Sequence, residues 1–352
     1  MAPTSQSLNE EKRRSANYHP SIWDPTAIQS FTAPYTYELY ATQLEDLEQT
    51  VSKLLASTND TAALLKLIDS MKRLGVAYHF QEQIQQPLNQ LNLDLNLVSN
   101  NLSTVALHFR LLLEDCYPIT EGEKILEEAK GFSSENLKNV IGKLEKVKAK
   151  QVQRSLEVPL YWRMERIEAR NFIDSYAMDD SNNSVLLDLA KLDYNLIQPI
   201  YQQELKQLAE WWRELNFKEK LRFSRDRLME IYFWATGLRF DPQYAKCRIC
   251  FTKYAFLATV VDDIYDIYGS LEELECFTKA VTGWDVKAVQ ELPEYMRVMF
   301  SAISDFTNEL AQQTLKDHGL DVLPYIKEQW VVLSRAHITE ARWFYGRSNS
   351  HF

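Results

Sequence analysis

Long stretches of the chain keep a helical spacing of apolar residues without interruption, and this feature limits the fold more than any other. Segments 36–57 (TYELYATQLEDLEQTVSKLLAS) and 185–215 (VLLDLAKLDYNLIQPIYQQELKQLAEWWREL) both place apolar residues three and four apart, as amphipathic helices do. Only 9 glycines and 11 prolines punctuate 352 residues, whereas average usage is about 7% glycine. The sequence therefore predicts an all-α protein, with a kink at Pro199.

A cluster of turn formers at residues 177–185 (AMDDSNNSV) is the clearest break between helical patterns. We therefore expect two helical domains, residues 1–180 and residues 181–352. Asp179 and Asp180 in this cluster have two interpretations, either a turn with a cap for the next helix or a second metal site. The neighbouring Ser and Asn residues favour the turn.

Charge and hydropathy exclude two classes of partner. The formal charge of −10 argues against a nucleic-acid backbone as ligand, and no apolar run approaches the roughly 18 residues of a membrane span. The opening residues (MAPTSQSLNEEKRR) lack the apolar core of a secretory signal, and Glu10 and Glu11 are atypical of an organelle transit peptide. We expect a cytoplasmic monomer, with the plastid as the alternative compartment.

Cysteines and histidines give no recognisable site. The CxxC at Cys247 and Cys250 has no second pair at zinc-ribbon spacing, and with Cys116 and Cys276 we expect small buried side chains rather than zinc or redox chemistry. The six histidines are scattered without ligand spacing. Each is expected to be a surface or core residue.

An acidic cluster follows the most apolar helix of the chain. Residues 248–268 are expected to form one helix whose apolar run YAFLATVV is buried on every side. Gly269 suits a left-handed residue that closes the helix, and SLEE (Ser270 to Glu273) matches a capping box for the next one. The aspartates of DDIYD at 262–266 therefore lie in the last two turns.

Three carboxylates at this position are electrostatically unfavourable. Helix C-termini carry partial negative charge, and Asp262 and Asp266 share a face while Asp263 lies about 100° round the helix. At roughly 5.5 Å and an effective dielectric near 20, each close pair costs about 3 kcal/mol of repulsion. Mg²⁺ binds carboxylates together with phosphate oxygens, and its positive charge would replace this repulsion by attraction. Spacing alone leaves metal binding and a solvated helix end equally open.

Two arginines lie upstream in FSRDRLMEIYFWATG, residues 223–237. A helix that starts at Ser224 would place Arg225 and Arg227 at its N-terminus, where an anion such as phosphate is favoured. Trp234 would then lie two turns from Arg227 on the same face, as an aromatic wall able to stabilise a cation. Solvated arginines and a core tryptophan are the ordinary alternatives, and only the combination with the acidic cluster favours a site.

These residues together resemble the plant terpene synthases over most of the chain. DDIYD matches the family's DDxxD motif, RDR matches its RxR motif at the expected distance upstream, and RRSANYHPSIW is similar to the N-terminal signature with Arg13, Arg14 and Trp23. DDxxD alone is a weak signal, but the three motifs in this order are a strong one. Further segments, VPLYWRMERIEARNFID, LAKLDYNLIQ and YFWATGLRFDPQY, are similar to the family as well.

The resemblance implies a helical N-terminal domain and a class I terpenoid-synthase bundle. In such a site the aspartates at 262, 263 and 266 bind Mg²⁺, with Mn²⁺ as the alternative ion, and Asp262 and Asp266 thereby hold a prenyl diphosphate. Arg225 and Arg227 hold the departing diphosphate, and Trp234 lines the cavity for the carbocation. Arg13 and Arg14 are associated in the family with isomerisation or with closure of the N-terminal strand; we treat them first as structural residues.

The sequence departs from the family pattern at two places. Helical segments expected after ALHFRLLLEDCYP are missing near Pro118 and Ile119, and no second metal motif of the (N,D)DxxSxxxE type follows the first. The nearest match, NDTAALLKL at 59–67, has Ala63 and Leu67 at required ligand positions. The bundle is therefore expected to be partial, through an internal deletion and a truncation.

Two functional hypotheses follow. The first is a Mg²⁺-dependent terpene synthase that ionises a prenyl diphosphate to a terpene with release of diphosphate, with farnesyl diphosphate and a sesquiterpene product preferred over geranyl diphosphate. The second is a non-catalytic helical remnant that binds metal or diphosphate weakly without turnover.

Overall fold

Every regular element in the described part of the chain is a helix. The structure, a computed structural model, describes residues 15–93, 101–118 and 123–348, and no strand occurs in these ranges. The all-α prediction is confirmed. The chain divides into two compact units, one of residues Ala33–Ile200 and one of residues Met1–Thr32 with Tyr201–Phe352.

The unit Ala33–Ile200 is built from amphipathic helices around one apolar core. Its helices are α2 (Tyr37–Ser57), α3 (Thr61–Arg73), α4 (Gln81–Leu93), α5 (Leu102–Glu114), α6 (Glu123–Val140), α7 (Lys146–Glu157), α8 (Glu165–Ala177) and the first half of α9 (Ser184–Leu215). Helix α3 shows how local sequence sets an element. The Asp60 carboxylate caps it by accepting the Ala63 N–H at 2.8 Å, and Leu65, Ile68 and Met71 are completely buried on its inner face.

The observed division differs from the predicted boundary at residue 180. Leu186 and Leu196 on the first half of α9 belong to the apolar core of the unit Ala33–Ile200, so this unit extends past the turn. The residues before 33 group with the other unit; the Gln29 amide, for example, donates to the Lys206 carbonyl at 3.2 Å. The division into domains of residues 1–180 and 181–352 stays a prediction.

The turn at 177–185 forms as the Ser and Asn residues indicate. Asp179 accepts the Ser181 N–H at 2.9 Å, and the Asn183 side chain caps α9 by accepting the Leu186 N–H at 3.0 Å. The turn interpretation of Asp179 is confirmed, with Asn183 rather than Asp180 as the cap. Helix α9 then continues through Pro199 as one element.

The second unit contains the helices on which the candidate site lies. They are α1 (Pro25–Gln29), α10 (Phe217–Lys220), α11 (Leu228–Leu238), α12 (Ala245–Asp263), α13 (Leu271–Gly283), α14 (Val286–Gln290), α15 (Glu294–His318) and α16 (Leu323–Ser348), with a π-helical segment at Ile264–Tyr268. Helix α12 packs against α11 and α15, and α16 packs against α13 and the π-helical segment.

Helix α12 is buried as its apolar run predicts. Every residue from 251 to 261 is buried or partly buried. The helix also carries a buried charge, because Arg248 donates to both Glu204 carboxylate oxygens at 2.9 and 2.6 Å. A hydrogen-bonded pair of this kind offsets the cost of burying either charge.

The cysteine prediction is wrong for most positions. Cys116, Cys247 and Cys276 are free and exposed, and only Cys250 is partly buried. Cys247 lies on the solvent side of the first turn of α12, where neighbouring elements do not cover it. No helix in the described residues combines the length and apolar character needed to cross a membrane.

Candidate metal centre

The acidic cluster lies where α12 changes into a π-helical segment. Helix α12 ends at Asp263, and residues Ile264–Tyr268 continue as one π-helical stretch. Such stretches are rare and are frequent at functional sites. The wider turn leaves Asp262 partly exposed, buries Asp263 completely and exposes Asp266. The different orientation predicted for Asp263 is therefore observed.

The residues that close this segment follow the prediction only in part. The capping box is confirmed, since Glu273 N–H donates to Ser270 Oγ at 3.3 Å and Ser270 N–H donates to Glu273 Oε2 at 3.0 Å. The left-handed conformation predicted for Gly269 is wrong, because its φ is −72° and its ψ is 144°. Glycine is needed for space instead: a Cβ here would lie 2.6 Å from Leu274 Cδ2.

Asp262, Asp266 and His337 form a group of three metal-ligand side chains. One atom from each lies within 4.8 Å of the others, and this is the one such group in the residues that the structure describes. His337 comes from α16, which packs on the π-helical segment. Two carboxylate oxygens and an imidazole nitrogen are ligands that divalent cations take. The donor set therefore fits a divalent metal ion.

Asp263 is not part of this group and instead holds Arg225. Its Oδ2 accepts the backbone N–H of Arg225 at 2.6 Å, and its Oδ1 lies 2.8 Å from Arg225 Nε. The Arg225 Nη2 group also donates to Asp262. One guanidinium thus offsets part of the repulsion between Asp262 and Asp263.

The carboxylates remain electrostatically strained despite Arg225. Burial raises the pKa of Asp263, although the Arg225 backbone N–H and guanidinium oppose the effect. Burial, followed by the negative charge of Asp262, raises the pKa of Asp266. Both carboxyl groups are therefore harder to ionise here than in water. A cation bound beside them would favour the ionised forms.

The RDR segment precedes its helix rather than beginning it. Helix α11 starts at Leu228, and Arg227 is its N-cap with a φ of −134°. The predicted start at Ser224 is wrong: the Asp263 carboxylate holds the backbone N–H of Arg225, and the backbone is still non-helical at Arg227. As a result, Arg227 and Trp234 do not share a helical face. The Trp234 side chain is 63% exposed.

Residues near the N-terminus contact both arginines of the RDR segment. The Arg227 Nη2 group donates to the His19 carbonyl at 2.8 Å, and Arg225 Cζ lies 5.1 Å from the centroid of the Tyr18 ring. Trp23, from the predicted N-terminal signature, is 38% exposed. Arg13 and Arg14 lie outside the described residues.

Two further carboxyl groups beside the arginines each have one buried oxygen without a hydrogen bond. Asp226 Oδ1 and Glu230 Oε2 have no hydrogen-bond partner within the described residues. Burial raises the pKa of Asp226 to about 6, with Lys218 opposing the effect and Glu230 adding to it. The ionised form of Asp226 is therefore disfavoured, although two arginines lie in the same segment.

Aromatic rings lie next to the acidic cluster. Tyr268, two residues after Asp266, stacks on Phe223 with ring centroids 3.9 Å apart, and Tyr295 meets Tyr268 edge-on at 5.0 Å. Aromatic faces stabilise nearby cations. These rings are a second candidate wall beside the more exposed Trp234.

Comparison with known proteins decides the family. The terpene synthase N-terminal domain matches residues 22–121, and the terpene synthase metal-binding domain matches residues 213–351. A crystal structure of limonene synthase with 2-fluorolinalyl diphosphate superposes with a TM-score of 0.89 at 34% identity, over 95% of this chain and 70% of that one. The chain belongs to the terpene synthase family. This confirms the resemblance drawn from DDIYD and RDR.

Further relatives of the chain are plant proteins. "Probable terpene synthase 9" of Ricinus communis is 46% identical over 98% of this chain, and "Trans-ocimene synthase, chloroplastic" of Litsea cubeba is 42% identical over 94% of it. Isoprene synthase from Populus x canescens, in complex with three Mg²⁺ ions and dimethylallyl-S-thiolodiphosphate, superposes with a TM-score of 0.82 at 36% identity, over 93% of this chain and 69% of that one.

The chain spans 65% of the length of the Ricinus protein and 63% of the Litsea protein. The alignment with the Ricinus protein covers 383 positions, more than the 352 residues of the chain. The relative therefore has internal residues with no counterpart here, in agreement with the deletion predicted from the sequence.

Sequence reasoning did not identify every residue at the site. His337 was expected to be an ordinary core or surface residue, and Tyr18 and Tyr295 were not singled out. These residues come from distant parts of the chain, and only the packing of α16 and the N-terminal residues brings them to the DDIYD segment. Among the residues that line the site, only Tyr268 lies near the aspartates in sequence, two residues after Asp266.

Proposed function

We propose that this chain is a divalent-metal-dependent terpene synthase that ionises a prenyl diphosphate and releases diphosphate. The observation that carries the proposal is the placement of Asp262 and Asp266 beside Arg225: their oxygens lie in one group with His337, and Asp262 accepts a hydrogen bond from Arg225. A cation site and a guanidinium at hydrogen-bonding distance form the charge pattern that a diphosphate requires.

Asp262 and Asp266 would hold the metal, and Asp263 has a different part in this proposal. Asp263 is fully buried and fixes both the backbone and the side chain of Arg225. Its assignment as a metal ligand stays a prediction. We infer that Asp263 orients Arg225. When a cation takes the place of the Arg225 guanidinium beside Asp262, this guanidinium would bind the diphosphate oxygens.

Arg227 would bind the departing diphosphate together with Arg225. Its guanidinium is at present engaged by two carbonyl oxygens, those of Asp226 at 2.7 Å and His19 at 2.8 Å. A dianionic phosphate group is a stronger acceptor than a neutral carbonyl. We expect Arg227 to exchange the His19 carbonyl for phosphate when substrate binds.

A bound divalent ion would supply Lewis-acid stabilisation of the charge that develops on the diphosphate. The family resemblance implies Mg²⁺, with Mn²⁺ as the alternative. The chain's own residues then keep the carbocation from water and stabilise it by their aromatic faces. Trp234 remains the candidate from the sequence, and the Phe223, Tyr268 and Tyr295 rings are the better-buried alternative.

Relatives named for monoterpenes favour geranyl diphosphate as the substrate. Trans-ocimene synthase and limonene synthase are named for C10 products, and the preference for farnesyl diphosphate drawn from the sequence is not supported by them. The Litsea relative is described as chloroplastic, which favours the plastid alternative over the cytoplasm. A monomer remains the expectation for the oligomeric state.

Product analysis tests the proposed reaction. The purified chain is incubated with Mg²⁺ and either geranyl or farnesyl diphosphate, and volatiles are identified by gas chromatography with mass spectrometry. We expect a monoterpene from geranyl diphosphate and less product from farnesyl diphosphate. A folded protein that gives no product with either substrate would contradict catalysis. Diphosphate-dependent metal binding without product would identify the non-catalytic alternative.

A matched pair of variants tests the residues. Asp262→Asn removes one charge from the proposed metal site, whereas Asp305→Asn removes one exposed charge from α15 in the same unit. We expect calorimetry to show at least about tenfold weaker Mg²⁺-dependent diphosphate binding for Asp262→Asn. Binding by Asp305→Asn is expected to match the parent. Equal binding by both variants would return the aspartates to an ordinary acidic helix end.

A further inference from the structure

His337 lies beside the acidic cluster with one ring nitrogen unpaired. Its ring stacks on Tyr265 with centroids 5.3 Å apart, and its side chain is only 13% exposed. The Nδ1 atom is buried and has no hydrogen-bond partner among the described residues. The nearest carboxylate oxygens are Asp262 Oδ1 at 3.8 Å and Glu340 Oε2 at 4.0 Å, both beyond hydrogen-bonding distance.

A buried polar nitrogen without a partner is uncommon in proteins and calls for an explanation. Here a ring nitrogen of His337 and one oxygen each of Asp262 and Asp266 all lie within 4.8 Å of one another. Ligand atoms around a metal at about 2.1 Å are separated by roughly 3 to 4.2 Å. Small side-chain movements would bring all three to one ion.

We propose that His337 supplies a nitrogen ligand to the cation held by Asp262 and Asp266, and that this ligand makes the site select Mn²⁺ over Mg²⁺. The proposal rests on the metal site of the proposed function and adds the third ligand and the preferred ion. Mg²⁺ favours oxygen ligands and binds imidazole poorly. Imidazole suits first-row transition metals, and Mn²⁺ accepts it together with carboxylates.

The stack on Tyr265 supplies the rigidity that a ligand needs. Tyr265 is itself buried, and its hydroxyl is hydrogen-bonded to Thr278 Oγ1 at 2.8 Å, which fixes the ring against α13. His337 therefore reaches the metal site from a held position, as ligating side chains do when a neighbouring group orients them.

The test uses His337→Phe, which keeps an aromatic ring on Tyr265 and removes the nitrogen. Mn²⁺ alone and Mg²⁺ alone are the probes, with the full chain and without substrate. Pulsed electron paramagnetic resonance on bound Mn²⁺ reports a coordinated ¹⁴N directly. We expect this coupling in the parent protein, its loss in His337→Phe, and about tenfold weaker Mn²⁺ binding with little change for Mg²⁺.

Three further variants separate the possible failures. His337→Asn replaces His337→Phe if the latter does not fold, as judged by circular dichroism, and it is expected to lose the coupling too. His318→Ala removes an exposed histidine from the same unit and is expected to change nothing. If Asp266→Asn weakens Mn²⁺ binding but His337→Phe does not, this inference is wrong while the metal site of the proposed function stands. If neither variant weakens it, both are wrong.

Discussion

Two carboxylate clusters in this chain differ in how completely the protein neutralises them. In the unit Ala33–Ile200, Asp193 is 1% exposed and accepts hydrogen bonds from the Tyr78 hydroxyl, from His79 Nε2 at 3.0 Å and from Arg166 Nη1 at 3.1 Å. In the other unit, the DDIYD carboxylates share one guanidinium, and the nitrogen of His337 remains without a hydrogen bond.

The difference shows which charges belong to the fold and which to function. The partners of Asp193 hold its pKa below the usual range despite burial, so its charge is fully matched by the protein. Burial instead raises the pKa of Asp263 and Asp266. A cluster that the protein leaves unmatched is a candidate for an external cation.

The largest expected effect comes from breaking the matched cluster. Asp193→Asn removes the charge while keeping the size of the side chain, and it leaves Arg166 and His79 buried without their shared counter-charge. We expect a loss of about 3–5 kcal/mol in the free energy of unfolding, measured by urea denaturation. Asp188→Asn, at an exposed position on the same helix, serves as control and is expected to change stability by less than about 0.5 kcal/mol. Similar values for both would refute the comparison.

A smaller effect is expected from the pH dependence of the same cluster. Burial alone lowers the pKa of His79, but hydrogen bonds to Asp193 and Glu48 raise it to about 9. Because the pKa in the folded state lies above the ordinary 6.5, the contribution to stability is complete below pH 6.5 and is lost as pH rises through 9. We expect roughly 2 kcal/mol of stability to be lost over this window.

Thermal melts across that pH range, compared with those of His79→Gln, measure this contribution. The variant is expected to show a flatter profile between the two pH values. A parent protein whose stability is constant from pH 6.5 to 9 would mean that His79 is not held in its charged form.

The smallest effect is expected for Asp226, a carboxyl group next to Arg225 and Arg227. Burial raises the pKa of Asp226 to about 6, so ionisation of this carboxyl destabilises the fold as pH rises from about 4 to 6. Asp226→Asn is therefore expected to stabilise the protein by about 1 kcal/mol at pH 7.5, and to change little at pH 4. Differential scanning calorimetry at both pH values measures this, and destabilisation at pH 7.5 would show that the Asp226 charge is matched after all.

Local patterns predicted local structure well. The all-α class, the burial of α12 and the capping box at Ser270 and Glu273 all depend on neighbours within a few residues, where helical periodicity and capping rules apply. The different orientation of Asp263 followed from the 100° rotation per residue of a helix.

Tertiary packing, which local patterns do not show, limited the rest of the prediction. The predicted helix start at Ser224 was wrong: Asp263, far along the chain, holds the Arg225 segment, and the helix begins only after Arg227. The left-handed conformation predicted for Gly269 was wrong. A glycine is required there because a side chain would collide with Leu274. His337 carried no signal because its importance depends on the position of α16 relative to the DDIYD segment.

The central claim is that an external cation and diphosphate complete the unmatched cluster. Hydrogen exchange read by mass spectrometry, with and without Mg²⁺ and inorganic diphosphate, tests it in both clusters at once. We predict slower exchange in residues 257–268 and unchanged exchange in residues 184–200, with the first effect absent in Asp262→Asn. Unchanged exchange in residues 257–268 of the parent protein would contradict the claim.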